Sequence, residues 1–282
     1  MTGKNIAASV RQRLYEKAKQ NRIDVQFNFN RYALERLLYR LSISPYRDAF
    51  LLKGALLFDL WFDLPFRPTR DIDLLSYGVS EIPYLTKVFK DLCGIQVDDG
   101  ITFDDGSVRA EEIREIAYYP GIRVTLNGAI DRAHCPIQVD IGFGDSVTPD
   151  PDDRFYPVML DEMPAPNLRV YPIYTVVAEK LEAIVVFGMA NSRMKDYFDL
   201  WTIFRYKNLD KELLLKAFNE TLRSRRTQKP IGLPLGLSDS FFMNQSTALL
   251  WNSFLDRNHL GADTLENTVL ELRQKLEFLF VE

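Results

Sequence analysis

Apolar positions recur three and four residues apart over much of the chain, which is the period of an amphipathic helix. The pattern is clear in residues 6–20 and 27–44, and a third helical stretch is predicted over 49–62, where Gly54 interrupts it. These stretches predict a helical lead-in. The same period returns later and predicts four more helices, over residues 174–189, 194–208, 211–225 and 264–280.

A strand pattern replaces the helical one in the middle of the chain. Apolar and polar residues alternate from 71 to 74, which predicts a strand with one face in the core. A helix is predicted next, over 84–93. Three further strands follow, separated by Gly, Asp and Asn, over residues 114–119, 121–130 and 135–143.

A connector rich in Pro and Asp, residues 144–167, separates this mixed block from the C-terminal helices. We therefore predict an α+β protein. A mixed sheet with helices occupies residues 1–165, and a helical C-terminal domain that closes the cleft occupies residues 166–282.

Composition narrows the class of protein. With 282 residues, of which 46% are hydrophobic, the chain can bury a sizeable core. Its 35 Lys and Arg against 39 Asp and Glu provide no general basic field, so any contact with nucleic acid has to be local. Cys93 and Cys135 form no CxxC pair, which argues against a zinc site and for a reducing cytoplasm. No run approaches roughly 18 apolar residues.

Three aspartates on the predicted strands are candidate ligands of a metal ion. Asp71 and Asp73 project from one face of their strand, and Asp140 lies on the polar face of another. Converging carboxylates suit Mg²⁺ or Mn²⁺, and such sites serve phosphoryl or nucleotidyl transfer. A lone D-x-D is more often a turn or a solvated edge strand, but here apolar residues occupy the opposite face.

Four segments in this order resemble the AbiEii/AbiGii-type nucleotidyltransferase toxins of the polymerase-beta-like nucleotidyltransferase superfamily. They are "LLKGALLFDLWF…RPTRDIDLL", "VDIGF", "YTVVAEKLEAIV" and "RMKDYFDLW", and they span about residues 50–205. The family usually has Lys-Gly-Gly or Gly-Ser where this chain has Lys53, Gly54 and Ala55. A Gly at this position is expected to let the backbone approach a triphosphate.

Two predicted helices carry charges among apolar residues. Lys180 lies on the apolar stripe of its helix, so its ammonium either reaches water or meets an anion. Asp196 and Asp199 share one helix face, where Lys195 can pair with Asp199. An ordinary surface ion pair is the alternative, but the aromatic neighbours predict a half-buried helix whose aspartates need partners. Arg67, Arg70, Arg193 and Lys195 are the predicted partners.

The resemblance assigns roles to these residues. It implies that Asp71 and Asp73 bind the metal and that Asp140 bridges or acts as a base. Phosphate contacts fall to Lys53 and Gly54. Thr69 belongs to the active site, because the family has a Ser or Thr at this position, which can be phosphorylated in some members. The nucleotide is steadied by Lys180, Lys195, Asp196 and Asp199.

The resemblance also implies a toxin that uses an NTP to modify the 3′ end of tRNA, blocks translation and has a cognate antitoxin. A basic segment at 222–230, "LRSRRTQKP", is the predicted RNA contact, although a solvated helix end would have the same composition. Two alternatives stay open. One is transfer to a protein or small-molecule hydroxyl, and the other is an inactive nucleotide-binding module.

Overall fold

Strands from distant parts of the chain form one mixed sheet in the computed structural model, which describes residues 6–62, 67–114 and 120–280. In the described residues the strand order is β3-β4-β5-β2-β1-β7-β6. The β2 and β5 strands pair in parallel, as do β1 and β7, and the other neighbours are antiparallel. The strands are β1 (Phe50–Lys53), β2 (Asp71–Ser76), β3 (Ile101–Arg114), β4 (Pro120–Ile130), β5 (Ala133–Phe143), β6 (Asp152–Phe155) and β7 (Asn167–Val170).

Backbone contacts divide the chain into two units, and the sheet lies in the first. Its central strands bury one set of alternating side chains, including Ile72, Leu74, Val139 and Ile141. Polar residues alternate with these on the other face. The helices of this unit are α1 (Ile6–Gln20), α2 (Val25–Ser42), α3 (Phe58–Trp61) and α4 (Ile82–Gly94). The α+β fold class predicted from the sequence is confirmed.

The helix predicted over residues 49–62 is wrong in its first half. Residues 50–53 form β1, Gly54–Leu57 form a single 3-10 turn, and only the four residues of α3 are α-helical. β1 pairs with β2 on one side and β7 on the other, and Phe50, Leu51 and Leu52 are all buried, so both faces of this inner strand are covered. A strand buried on both faces loses its alternation, so its pattern cannot be told from that of a buried helix.

Other strands also differ from the predicted pattern. The long β3 was not predicted, because a register shift between Asp104 and Arg109 interrupts its alternation. The strand predicted over 114–119 falls almost entirely on residues 115–119, which lie outside the described residues, and Arg114 ends β3. The polar connector contains β6 and is followed by β7, so it contributes to the sheet.

The second unit is helical. Its helices are α5 (Ile173–Phe187), α6 (Met194–Tyr206), α7 (Lys211–Ser224), α8 (Asp239–Phe242), α9 (Gln245–Asn258) and α10 (Leu265–Leu276). Polar side chains cap several of them; Asp210, for example, accepts a hydrogen bond from the backbone N–H of Leu213. Residues 67–68 and 145–151 also belong to this unit. In the described part of the chain, no helix combines the length and apolar character needed to cross a membrane.

Candidate functional site

A row of charged residues crosses five neighbouring strands of the sheet in register. Glu111 lies opposite Arg123, Arg123 opposite Asp140, Asp140 beside Asp73, and Asp73 opposite Lys53. Residues paired in this way share a face of the sheet. The charges alternate along the row except at Asp140 and Asp73, where two carboxylates are neighbours. The two like charges repel each other, and a bound cation would favour the charged form of both carboxylates.

Asp71 extends the acidic part of this face. It lies two residues before Asp73 on β2 and beside Gln138 of β5, while Ile72 between the two aspartates is 1% exposed. The alternation in β2 therefore presents both carboxylates on one face and anchors the strand through the other. Thr69 lies two residues before Asp71 and is half-buried.

Gly54 brings the backbone against this carboxylate pair. Its φ is +73°, and a Cβ at this position would lie 1.9 Å from Oδ2 of Asp73. No side chain fits there without displacing the carboxylate, and the backbone conformation itself favours glycine. Because Gly54 follows Lys53 at the end of β1, the turn brings its main chain next to the acidic face.

The third carboxylate is held by an arginine. Nε and Nη2 of Arg123 donate to the two oxygens of Asp140, each at 2.8 Å. The side-chain amide of Gln138 donates to the same oxygens at 3.3 and 3.2 Å. The hydrogen bond to Asp140 raises the pKa of Arg123 against the effect of burial, and the charge of Asp71 adds to the increase.

The donor set suits a hard divalent cation at Asp71 and Asp73. Both are carboxylates on one face, and the absence of a side chain at Gly54 lets its main chain lie directly against the Asp73 carboxylate. Within the described ranges, no group of three or more His, Cys, Asp or Glu side chains comes together as a metal-binding set.

A second charged cluster lies within the helical unit. Lys180 of α5 is 2.9 Å from Asp196 and 2.7 Å from Asp199, the two aspartates on one face of α6. Arg67 makes a bidentate pair with Asp199 at 2.6 and 2.8 Å, and Arg193 donates to Asp196 at 2.7 Å. Both aspartates are buried, and this sequence-predicted set of side chains is brought together by the packing of α5 on α6.

The pKa values in this cluster follow from the competition between burial and ion pairing. Burial would raise the pKa of Asp196, but Lys180 and Arg193 lower it well below its usual range. Burial would also raise the pKa of Asp199, but Arg67 and Lys180 lower it below its usual value. Burial would lower the pKa of Lys180, but Asp196 and Asp199 raise it above its usual value.

The ion pairs resolve several of the open alternatives. The Lys180 ammonium meets anions and does not extend into water. Arg67 and Arg193 are partners of the buried aspartates, as predicted. Lys195 is exposed, and among the described residues the ion pairs of Asp199 are with Arg67 and Lys180, so the predicted Lys195 pair with Asp199 is not formed.

The basic segment at 222–230 is less available than its composition indicates. Arg225 is only 19% exposed and pairs with Asp145, Glu179 and Glu182 at 3.0 to 3.3 Å. These acids raise its pKa although burial opposes the increase. Arg225 is therefore an internal residue of the helical unit, and it cannot serve as the surface RNA contact that its sequence context predicted.

The sequence analysis did not predict the ion pairs of two arginines, Arg123 and Arg225. Arg123 had a local signal, because it stands between apolar Ile122 and Val124 on a predicted strand and so shares a polar face. Arg225 had none, since its three acidic partners come from two other segments of the chain.

Comparison with known proteins gives one family match and two similar structures. Residues 36–276 match the family described as the nucleotidyl transferase AbiEii toxin of type IV toxin–antitoxin systems. JHP933 from Helicobacter pylori has a similar structure, with a TM-score of 0.53 and 16% identity over 91% of this chain and 93% of that one. A candidate nucleotidyltransferase from H. pylori matches with the same TM-score and identity over 92% and 96% of the two chains. At this identity, both matches show a shared fold. A search of curated proteins found no significant match.

Proposed function

The chain belongs to the AbiEii family of nucleotidyl transferase toxins, and from this premise we propose that it transfers a nucleoside monophosphate from an NTP to the 3′ end of tRNA and so blocks translation. The family membership makes the protein a nucleotidyltransferase of a type IV toxin–antitoxin system and implies an NTP substrate and an antitoxin partner. The RNA acceptor and the divalent cation are our proposals. Both substrates are cytoplasmic, and we propose that the protein acts there.

The observation that supports this activity most strongly is the like-charged pair in the charged row. Asp73 and Asp140 are neighbours in register, Asp71 shares their face, and Gly54 lies against the Asp73 carboxylate. Adjacent carboxylates on a sheet face are unfavourable unless a positive charge offsets them. A site that binds a cation together with a triphosphate uses adjacent carboxylates on one face in this way.

We assign the roles as follows. Asp71 and Asp73 hold Mg²⁺ or Mn²⁺, and Lys53 with the backbone of Gly54 lies next to the phosphates. When bound, such a cation would neutralise the charge that develops on the phosphate and its leaving group. Asp140 keeps its predicted place beside Asp73, and its ion pair with Arg123 orients its carboxylate. Thr69 lies at the entry of the same strand.

Lys180, Lys195, Asp196 and Asp199 of the helical unit remain proposed nucleotide-binding residues. Lys180, Arg67 and Arg193 are the cations that pair with Asp196 and Asp199. Arg193 is 42% exposed, so we propose that its guanidinium reaches a phosphate. The buried aspartates then hold Lys180 and Arg67 in place. Lys195 is exposed on the same helix and is a second contact in this proposal.

The test is incubation of the purified protein with Mg²⁺, each radiolabelled NTP in turn and deacylated tRNA. We expect labelled tRNA from the wild type and a loss of at least about a hundredfold in rate for Asp73→Asn, the size expected when a charge-stabilising group is removed. Asp152→Asn is the matched control, because Asp152 is an exposed aspartate on the edge strand β6. Wild-type rates for Asp73→Asn would refute the site.

The same assay tests the acceptor. Total RNA, total protein and small-molecule alcohols replace tRNA in parallel reactions. A wild-type enzyme that labels a protein or a small molecule and no RNA would overturn the tRNA assignment while leaving the nucleotidyltransferase activity in place. A protein that binds NTP and labels nothing would be an inactive binding module.

A further inference from the structure

We propose that Arg123 is a positioning residue that competes with the divalent cation for Asp140, so that the cation rests on Asp71 and Asp73 until Arg123 is displaced. This inference rests on the cation site proposed above. It concerns Arg123, a residue that neither the motifs nor the comparisons assign.

The geometry of the Asp140 carboxylate carries the inference. Both of its oxygens accept from Arg123 at 2.8 Å, and Gln138 donates to both as well. A carboxylate offers about four lone-pair positions, so most of those on Asp140 are used. The planar guanidinium and the carboxylate match in shape, which makes the bidentate pair stronger and more directional than a single contact.

The position of Arg123 in the charged row supports the same conclusion. Arg123 lies between Glu111 and Asp140, so both of its in-register neighbours are acidic. The strand register fixes these two neighbours, and the charge of Glu111 also favours the charged form of Arg123. A cation that reached Asp140 would meet a positive group already there, and the two would repel.

In this arrangement, Asp140 can bind the cation only after Arg123 has moved away from it. In the protein without nucleotide, Arg123 holds both oxygens of Asp140, and in this proposal the cation binds Asp71 and Asp73. A triphosphate adds negative charge close to Arg123, which can then turn from Asp140 to the phosphate. The third carboxylate becomes available at the moment when the substrate is present, so cation affinity and nucleotide affinity are coupled through one arginine.

The experiment measures Mn²⁺ affinity in the absence of nucleotide by isothermal titration calorimetry. We expect Arg123→Ala to bind Mn²⁺ roughly fivefold more tightly than the wild type, a change that corresponds to about 1 kcal/mol. Asp140→Asn alone should change the affinity by less than about twofold, whereas in the Arg123→Ala background it should reverse the gain. A structural role of Arg123 alone would not produce this dependence on Asp140.

Two further variants keep the test decisive. Arg109→Ala removes a positive charge from the same face of the sheet, and its side chain donates to backbone carbonyls and does not contact Asp140. It should leave the Mn²⁺ affinity unchanged, which separates competition at Asp140 from a general charge effect. Arg123→Lys keeps the charge without the planar fork and should give an intermediate gain, so it decides the question if Arg123→Ala fails to fold.

The outcomes separate this inference from the proposed function. Asp73→Asn should abolish Mn²⁺ binding, and unchanged binding in that variant would overturn both proposals. If Asp73→Asn abolishes binding while Arg123→Ala and Arg123→Lys bind no more tightly than the wild type, only the role of Arg123 is refuted. A loss of affinity in Asp140→Asn as large as that in Asp73→Asn would also refute it, because Asp140 would then be a ligand from the start.

Discussion

The main chain of Gly54 packs directly against the Asp73 carboxylate at the end of β1. The positive φ of Gly54 disfavours any side chain, and the 1.9 Å approach of a Cβ to the carboxylate disfavours it again. These are separate physical effects: the first is backbone strain, and the second is steric overlap with the Asp73 side chain. Together they tie the conformation of the turn to the position of the acid that is proposed to bind the cation.

Gly54→Ala should therefore destabilise the protein by roughly 2–4 kcal/mol, about 1 from the left-handed backbone and the rest from overpacking against Asp73. It should also reduce nucleotidyl transfer, because Asp73 has to move. Urea denaturation and the tRNA-labelling assay measure the two effects.

Gly232→Ala is the matched control for this substitution. Gly232 has a φ of +74°, and a Cβ there meets nothing within 4 Å. It should cost only about 1 kcal/mol and leave transfer intact. Equal losses of stability in the two variants would show that crowding against Asp73 adds nothing.

Among the secondary-structure elements, α5 and α6 depend on charge as well as on apolar packing. Lys180 is the only residue of α5 placed against both buried aspartates in the described structure, and each aspartate has one further cation. Removing one partner from such a set leaves buried charge uncompensated, which is more costly than never having had the pair. The pair of helices is therefore sensitive to pH at both ends of the scale.

Lys180→Met should destabilise the protein by about 3 kcal/mol at neutral pH, because two buried carboxylates lose a cation. The lowered pKa values of Asp196 and Asp199 contribute stability that is present above the usual aspartate pKa and is lost as pH falls below it. In the variant burial raises both pKa values, so the acid transition should begin at a higher pH. Circular dichroism across an acid titration measures this shift.

Lys195→Met is the control on the same helix, since Lys195 is exposed. It should keep the acid transition of the wild type. An acid midpoint for Lys180→Met equal to that of Lys195→Met would mean that Lys180 does not set the pKa values of the buried aspartates. At the alkaline end, the raised pKa of Lys180 contributes stability that is lost only when pH rises through that raised value.

For the molecule as a whole, the net charge is negative, whereas the segment at 222–230 is locally basic. The chain carries a net charge of −4, so an RNA partner needs a local basic surface. Arg225 is committed to three acids inside the helical unit. Arg223, Arg226 and Lys229 are exposed and form what remains of the basic segment.

Replacing Arg223, Arg226 and Lys229 together with Ala should flatten the salt dependence of tRNA binding. For every phosphate that the variant no longer neutralises, the slope of log K against log salt should fall by about 0.7–0.9. The fold should be unaffected, because Arg225 keeps its acidic partners. Fluorescence anisotropy with labelled tRNA over a salt series measures the slope.

A control triple of exposed lysines in the sheet-containing unit, Lys19, Lys87 and Lys90, removes the same charge from a different surface. It should leave the slope near its wild-type value. If both triples change the slope equally, RNA responds to net charge alone, and the basic segment is not the contact.

The sequence alone determined the features that depend on one element at a time. Alternation in β2 placed Asp71 and Asp73 on one face, and helical periodicity located the helices that carry Lys180 and Asp199, although it did not predict α9. These predictions succeed because the backbone geometry of a strand or helix sets the direction of each side chain without reference to the rest of the chain. The ordered motifs also determined the family.

The tertiary structure decided what depends on pairing between elements. Strand register brings Arg123 to Asp140, and packing places Asp145 and Glu182 around Arg225. It also turns residues 50–53 into a strand, because burial on both faces removes the alternation that would have identified it. Pairing is a property of two segments distant in sequence, and neither segment alone carries the information that selects its partner.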